Sequence, residues 1–123
     1  MLRTVGVEVL RRLGVTEGEV GVLVCDDETI RTLNRHFRHK DCVTDVLAFP
    51  AGTEQHDGPV YLGDVAISLE TASRQAAARG HDLLRELQTL LIHAILHLCG
   101  WDHEVDNGEM AVMESRLHKE LLS

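Results

Sequence analysis

Three histidines in the run HAILHLCGWDH have the spacing of a metal site. His93 and His97 stand at i and i+4. On a helix such side chains leave the same face, with Cβ atoms about 6 Å apart. Their ring nitrogens can converge on one ion at about 2.0–2.1 Å. Gly100 stops the helix and lets the chain turn, so His103 can supply a third nitrogen. Three protein ligands leave a fourth position open, the arrangement of catalytic rather than structural zinc. Cys99 lies about 200° around the helix from His97 and is not expected to be a ligand. A lone histidine would pack or cap. Three across a glycine turn bind one ion, most simply Zn2+, although imidazole also suits nickel and copper.

The spacing is similar to the zincin protease string HExxHxxGxxH, and the difference between them is chemical. Ala94 stands where the protease has the glutamate that acts as general base. Alanine cannot move a proton, so a metzincin-type peptidase is disfavoured. Asp102 and Glu104 do not sit at the required helical position. Asp102 is a candidate to orient a ligand, because metal-bound histidines donate their other N–H to such groups. It reads equally well as a surface aspartate in a turn.

These residues need elements to hold them. Residues 82–99 read as a long helix, with Leu83, Leu84, Leu87, Leu90, Leu91, Ala94, Ile95 and Leu98 forming its core-facing stripe. His93 and His97 fall on one edge of that stripe. Upstream, 3–13 reads as a helix with Val5, Val9, Leu10 and Leu13 inward, stopped by Gly14. The β-rich run EVGVLVC, 19–25, reads as a buried strand. Asp26 or Asp27 can cap a helix over 28–37, with Ile30, Leu33 and Phe37 inward. Strands follow at 43–49 and 61–68, separated by the polar loop AGTEQHDGP. Ser68 caps a helix that Gly80 stops, and a last helix covers 107–121. The pattern is α+β: a small mixed sheet covered by about five helices, with the zincin-like metal site on the long central one.

The 123 residues are expected to form one domain, 1–123, with a single core. Nothing in the chain reads as a transmembrane helix or a signal peptide. Cys25, Cys42 and Cys99 form no CxxC and read as reduced thiols of a cytoplasmic protein. The net charge of −8 argues against non-specific nucleic-acid binding. Yet RTLNRHFRHK, 31–40, holds Arg31, Arg35, Arg38 and Lys40 and no acid. Such a run is either a solvated helix face or a local patch for a phosphate backbone.

LNRHFRHKDCVTDVLAFP (33–50), YLGDVAIS (61–68) and HAILHLCGWDH (93–103), in that order, strongly resemble the YbeY family of metal-dependent endoribonucleases. That family's strings run approximately LNxxYRxxDxPTDVLSFP, LGDIxIS and HGxLHLxGYDH. The resemblance runs from about Asp26 onward. Phe37 and Trp101 stand where tyrosine is common, Val43 where proline is, Ala48 where serine is, and Ala94 where glycine is. The part before the motifs is shorter than in many relatives, so a first edge strand is expected to be reduced or absent.

The resemblance implies an endoribonuclease for single-stranded RNA, acting in maturation of small-subunit ribosomal RNA and in ribosome quality control. His93, His97 and His103 match the family's zinc ligands. Arg38 matches an arginine of its active-site region, and a guanidinium suits bidentate phosphate recognition. The general base is unassigned, and attack by water and attack by the RNA's own 2′-OH both remain open. Thr44, Asp45 and Asp64 belong to the matched strings but read as structural. The first two would anchor the start of a strand, and a bulge would aim the third. Two rival readings are a metal-dependent hydrolase of another substrate, such as peptide, and a non-enzymatic ribosome-assembly factor whose zinc only holds the fold.

Overall fold

A computed structural model of the chain describes residues 2–15, 18–51, 60–101 and 107–122. The elements run α1 (Leu2–Arg12), β1 (Gly18–Cys25), α2 (Asp27–Arg38), β2 (Val46–Pro50), β3 (Val60–Ser68), α3 (Leu69–Arg79), α4 (Leu83–Leu98) and α5 (Glu109–Leu122). The sheet has the order β1-β3-β2, with β3 parallel to β1 and antiparallel to β2. The expected α+β class, mixed sheet and five helices are therefore present.

The helix boundaries follow from capping chemistry. The Asp26 carboxylate accepts the Thr29 N–H at 2.8 Å and starts α2. Ser68 caps α3, which Gly80 closes in the left-handed conformation. Asp82 accepts the Arg85 N–H and starts α4. Each cap satisfies a donor that the first helical turn would otherwise leave unpaired.

The main core lies between one sheet face and α4. Leu87, Leu90, Leu91, Ala94 and Ile95 pack with Val65 and Ile67 of β3 and with Val5 and Val9 of α1. The apolar surface of α4 is broader than one stripe: Ile92 and Leu96 are also buried. With α1, α3 and α5 all packed against it, α4 is the central helix. Leu84 departs from the expected stripe and is 43% exposed. On the other sheet face α2 covers a small cluster of Ile30, Leu47 and Ala66.

Two further expectations are corrected. β1 is not buried: Val22, Leu23 and Val24 are substantially exposed. Among the described residues β1 is an edge strand paired only with β3, and its contact with the cluster under α2 is made by Cys25 at its end. Phe37 does not face inward with Ile30 but is 61% exposed at the last turn of α2. Its ring instead meets that of Phe49 edge-to-face, with centroids 5.2 Å apart.

Within β3 the pairing with β1 slips by one residue, so that Glu19 faces Tyr61 and Val20 faces Gly63. Gly63 has φ +144°, and a Cβ there would run into the Phe49 carbonyl oxygen and stand 2.8 Å from Leu98. Glycine is thus required where β2, β3 and the end of α4 meet.

Candidate functional site

The C-terminal half of α4 packs against β2, and the chain between α2 and β2 lines the space beside them. The resulting cleft, of about 760 Å³, is lined by His93, His97, Arg38, Lys40, Thr44 and Glu114 among others. The histidine rings lie with centroids 5.1 Å apart and planes at 72°, as the i, i+4 spacing on a helix requires.

Glu114 of α5 fixes one of them. Its Oε1 lies 2.9 Å from His93 Nδ1. A carboxylate there holds the proton on Nδ1 and leaves Nε2 as the lone-pair donor. The hydrogen bond to Glu114 raises the His93 pKa above the ordinary histidine value; burial opposes this, and the Glu114 and Asp45 charges add to it. The donor chemistry fits a borderline ion such as zinc: two neighbouring imidazoles, one already oriented by a carboxylate. Among the described residues no group of three or more His, Cys, Asp and Glu gathers as a metal site. His103 and Asp102 lie outside the described residues. Cys99 is the C-terminal cap of α4 and packs against the main core, where burial raises its thiol pKa.

The cations arrive by a backbone device. His39 ends α2 at φ 58°, in the left-handed region. Asn34, itself buried, gathers the turn: its carbonyl accepts the Lys40 N–H at 3.3 Å, and its Nδ2 donates to the Cys42 carbonyl at 3.0 Å. The chain thereby folds back, and Lys40 joins Arg38 on the cleft wall. The basic run divides in function. Arg31 is tied to Asp41 at 2.8 Å, whereas Arg38 has no ion pair among the described residues.

Asp45 anchors the start of β2. Its Oδ1 accepts the Val46 N–H at 2.7 Å, its Oδ2 accepts from Gln75, and its carbonyl accepts the Ser68 N–H. Thr44 Oγ1 donates to the same carboxylate. The bulge before Gly63 aims Asp64 at the Tyr61 hydroxyl, which donates to it. Both aspartates thus have the structural contacts expected of them.

The motifs did not point to Glu114. It does carry a signal: it stands four residues after Met110 and three before Leu117, the two buried residues of α5. An acid on a helix's apolar stripe has either a partner or a job.

Two histidines one helical turn apart share an open cleft with an arginine and a lysine in an α+β protein. The family model described as Endoribonuclease YbeY matches residues 2–123. The "Endoribonuclease YbeY" of Koribacter versatilis is 48% identical over 111 residues, covering 90% of this chain and 70% of that one. The protein of the same name from Aquifex aeolicus is 50% identical over 100 residues, covering 81% and 66%. A solution structure of a Thermotoga maritima protein shares the fold with a TM-score of 0.67 and 28% identity, covering 97% of this chain and 77% of that one. The chain belongs to the YbeY family of endoribonucleases.

Proposed function

We propose that this protein is a zinc-dependent endoribonuclease for single-stranded RNA, acting in the cytoplasm on ribosomal RNA of the small subunit, in its maturation and in ribosome quality control. One observation carries the reading: in a member of this family, Arg38 and Lys40 share one cleft with His93 and His97. A zinc ion held by His93, His97 and His103 would supply Lewis acidity toward a phosphodiester.

The chain's own groups divide the remaining work. Arg38 grips two phosphate oxygens through its planar fork, and Lys40 adds a point charge. Glu114 keeps His93 in the orientation and tautomer that the site needs. Ala94 leaves the helix without a general base at the protease position. The cleft carboxylates, Asp45 and Glu114, are already engaged by the β2 backbone and by His93. The attacking oxygen is then either water or the neighbouring 2′-OH, and a 2′,3′-cyclic or 3′-phosphate product would count against water.

The test is cleavage of unstructured RNA beside unstructured peptide, each with and without chelator, together with metal analysis of the purified protein. Chelator-sensitive RNA cleavage is expected. Arg38→Ala should lower kcat/KM by about 10²–10³, the usual loss for one charge-stabilising donor, in a protein that stays folded. Chelator-sensitive peptide cleavage without RNA cleavage would overturn the reading. A folded Arg38→Ala protein that retained full function would instead favour the structural-zinc alternative.

A further inference from the structure

A second and larger cleft, of about 1080 Å³, lies on the opposite face of the sheet, under the C-terminal end of α2. Its floor includes Gly21 and Leu23 of β1, and its wall includes Leu33, Phe37 and Phe49. Here the sheet is left open: the cluster under α2 takes in Leu47, Ala66 and, of β1, Cys25, while Val22, Leu23 and Val24 stay exposed. Phe37 is 61% exposed and Leu23 51%. Phe37 meets the rings of Phe49 and His36 edge-to-face. An aromatic ring held in this way keeps a face for another ring at little cost in side-chain freedom.

This cleft adjoins the histidine cleft: Arg38, Lys40, Ala48 and Pro50 line both, so the two lie on either side of β2. Its charge is polarised: Arg38, His39 and Lys40 stand at the end shared with the histidines, and Asp64 stands on the floor. A strand whose phosphate lies against Arg38 would therefore carry its next phosphates along the basic rim and turn its bases toward the apolar wall. Stacking on aromatic rings beside a cationic track is the general means by which proteins hold single-stranded nucleic acid.

We propose that the α2-side cleft is a base-binding subsite, in which a nucleotide next to the scissile phosphate stacks on Phe37 while Arg38 and Lys40 hold the backbone. This rests on the endoribonuclease reading, and it explains why that site would take single strands: bases paired in a duplex offer no free face to Phe37.

The test uses the zinc-loaded full chain and a nuclease-resistant 2′-O-methyl phosphorothioate oligouridylate. Binding is followed by fluorescence anisotropy over a range of salt concentrations, with an abasic strand of the same backbone as the second probe. Phe37→Leu keeps apolar bulk and removes the ring. It should weaken oligouridylate binding about tenfold and leave the salt slope unchanged, while Phe37→Trp restores affinity. Lys40→Ala should reduce the slope by about 0.7, as loss of one contact to a single strand requires. The abasic strand should bind the parent and Phe37→Leu alike. Parental affinity of Phe37→Leu for oligouridylate would overturn the subsite, and so would equal loss on the abasic strand. The two readings fail separately. A parent that cleaves no RNA refutes the nuclease, whereas a parent that cleaves RNA but binds both probes equally refutes only the base subsite.

Discussion

Glu114 on α5 and His93 on α4 are joined at 2.9 Å across two helices and 21 residues of sequence. The contact makes α5 part of the cleft, since a histidine is only as well aimed as its second nitrogen is held. Glu114→Gln keeps shape and a hydrogen bond but loses the charge, and Glu114→Ala loses both. Zinc affinity, measured by competition with a chromophoric chelator, should fall about 10–100-fold in Glu114→Ala and less in Glu114→Gln. Parental affinity in Glu114→Ala would show that α5 has no part in orienting the ligand.

Residues separated by a fixed helical step were legible in the sequence; residues brought together by packing were not. His93 and His97 could be placed side by side because one helix sets their geometry. The caps Asp26, Ser68 and Asp82 are likewise local, each acting on the turn that follows it. Glu114 was missed because its partner lies on another helix. The composition of EVGVLVC reports apolarity and not what covers it; the strand lies at the sheet edge, with Val22, Leu23 and Val24 exposed. Phe37 has the helical spacing of Ile30 and Leu33. At the last turn of α2, however, the sheet is uncovered, and the ring stands exposed on the wall of a cleft.

Asp27 gives the fold a dependence on acid. Its carboxylate accepts from Ser68 Oγ at 2.5 Å, Thr71 Oγ1 at 2.6 Å and Arg74 Nη2 at 2.8 Å, tying the start of α2 to the start of α3. The Ser68, Thr71 and Arg74 hydrogen bonds hold its pKa down at about 2, below the roughly 3.9 of a free aspartate. A depressed folded-state pKa stabilises the protein at pH above the unfolded value. That contribution is lost as pH falls from about 4 toward about 2. Urea titrations should therefore show stability dropping across this window, and Asp27→Asn should be less stable at neutral pH with a flatter acid limb. An unchanged acid limb in Asp27→Asn would assign the acid sensitivity to other carboxylates.

Gly63→Ala should be among the most damaging small substitutions. The alanine would be forced to φ +144°, a region costly to any residue with a Cβ, and its methyl would meet the Phe49 carbonyl and Leu98. Backbone strain alone costs about 1–3 kcal/mol, and the steric conflict adds to it by pushing β2 away from β3. Because β2 also lines the histidine cleft, zinc affinity and thermal stability should fall together. Circular dichroism melts with a parallel zinc titration would check this, and a variant with parental Tm would refute the assigned close approach.

The ion pair between the end of α3 and the first turn of α4 yields an asymmetric prediction. Glu86 is fully buried, with Arg79 Nη1 on both carboxylate oxygens and His81 Nε2 at 2.8 Å from Oε2. Arg79 itself is 52% exposed. Removing the arginine strands a buried charge with a histidine as its remaining side-chain partner, so Arg79→Ala should cost about 3–5 kcal/mol. Removing the acid strands nothing, because Arg79 and His81 can reach water. Glu86→Leu, of similar volume in an apolar surround, should be near neutral or stabilising despite deleting the same ion pair. Equilibrium denaturation of the two variants measures the difference directly. Equal destabilisation by both would mean that the pair's attraction, rather than the desolvation of Glu86, governs this corner of the fold.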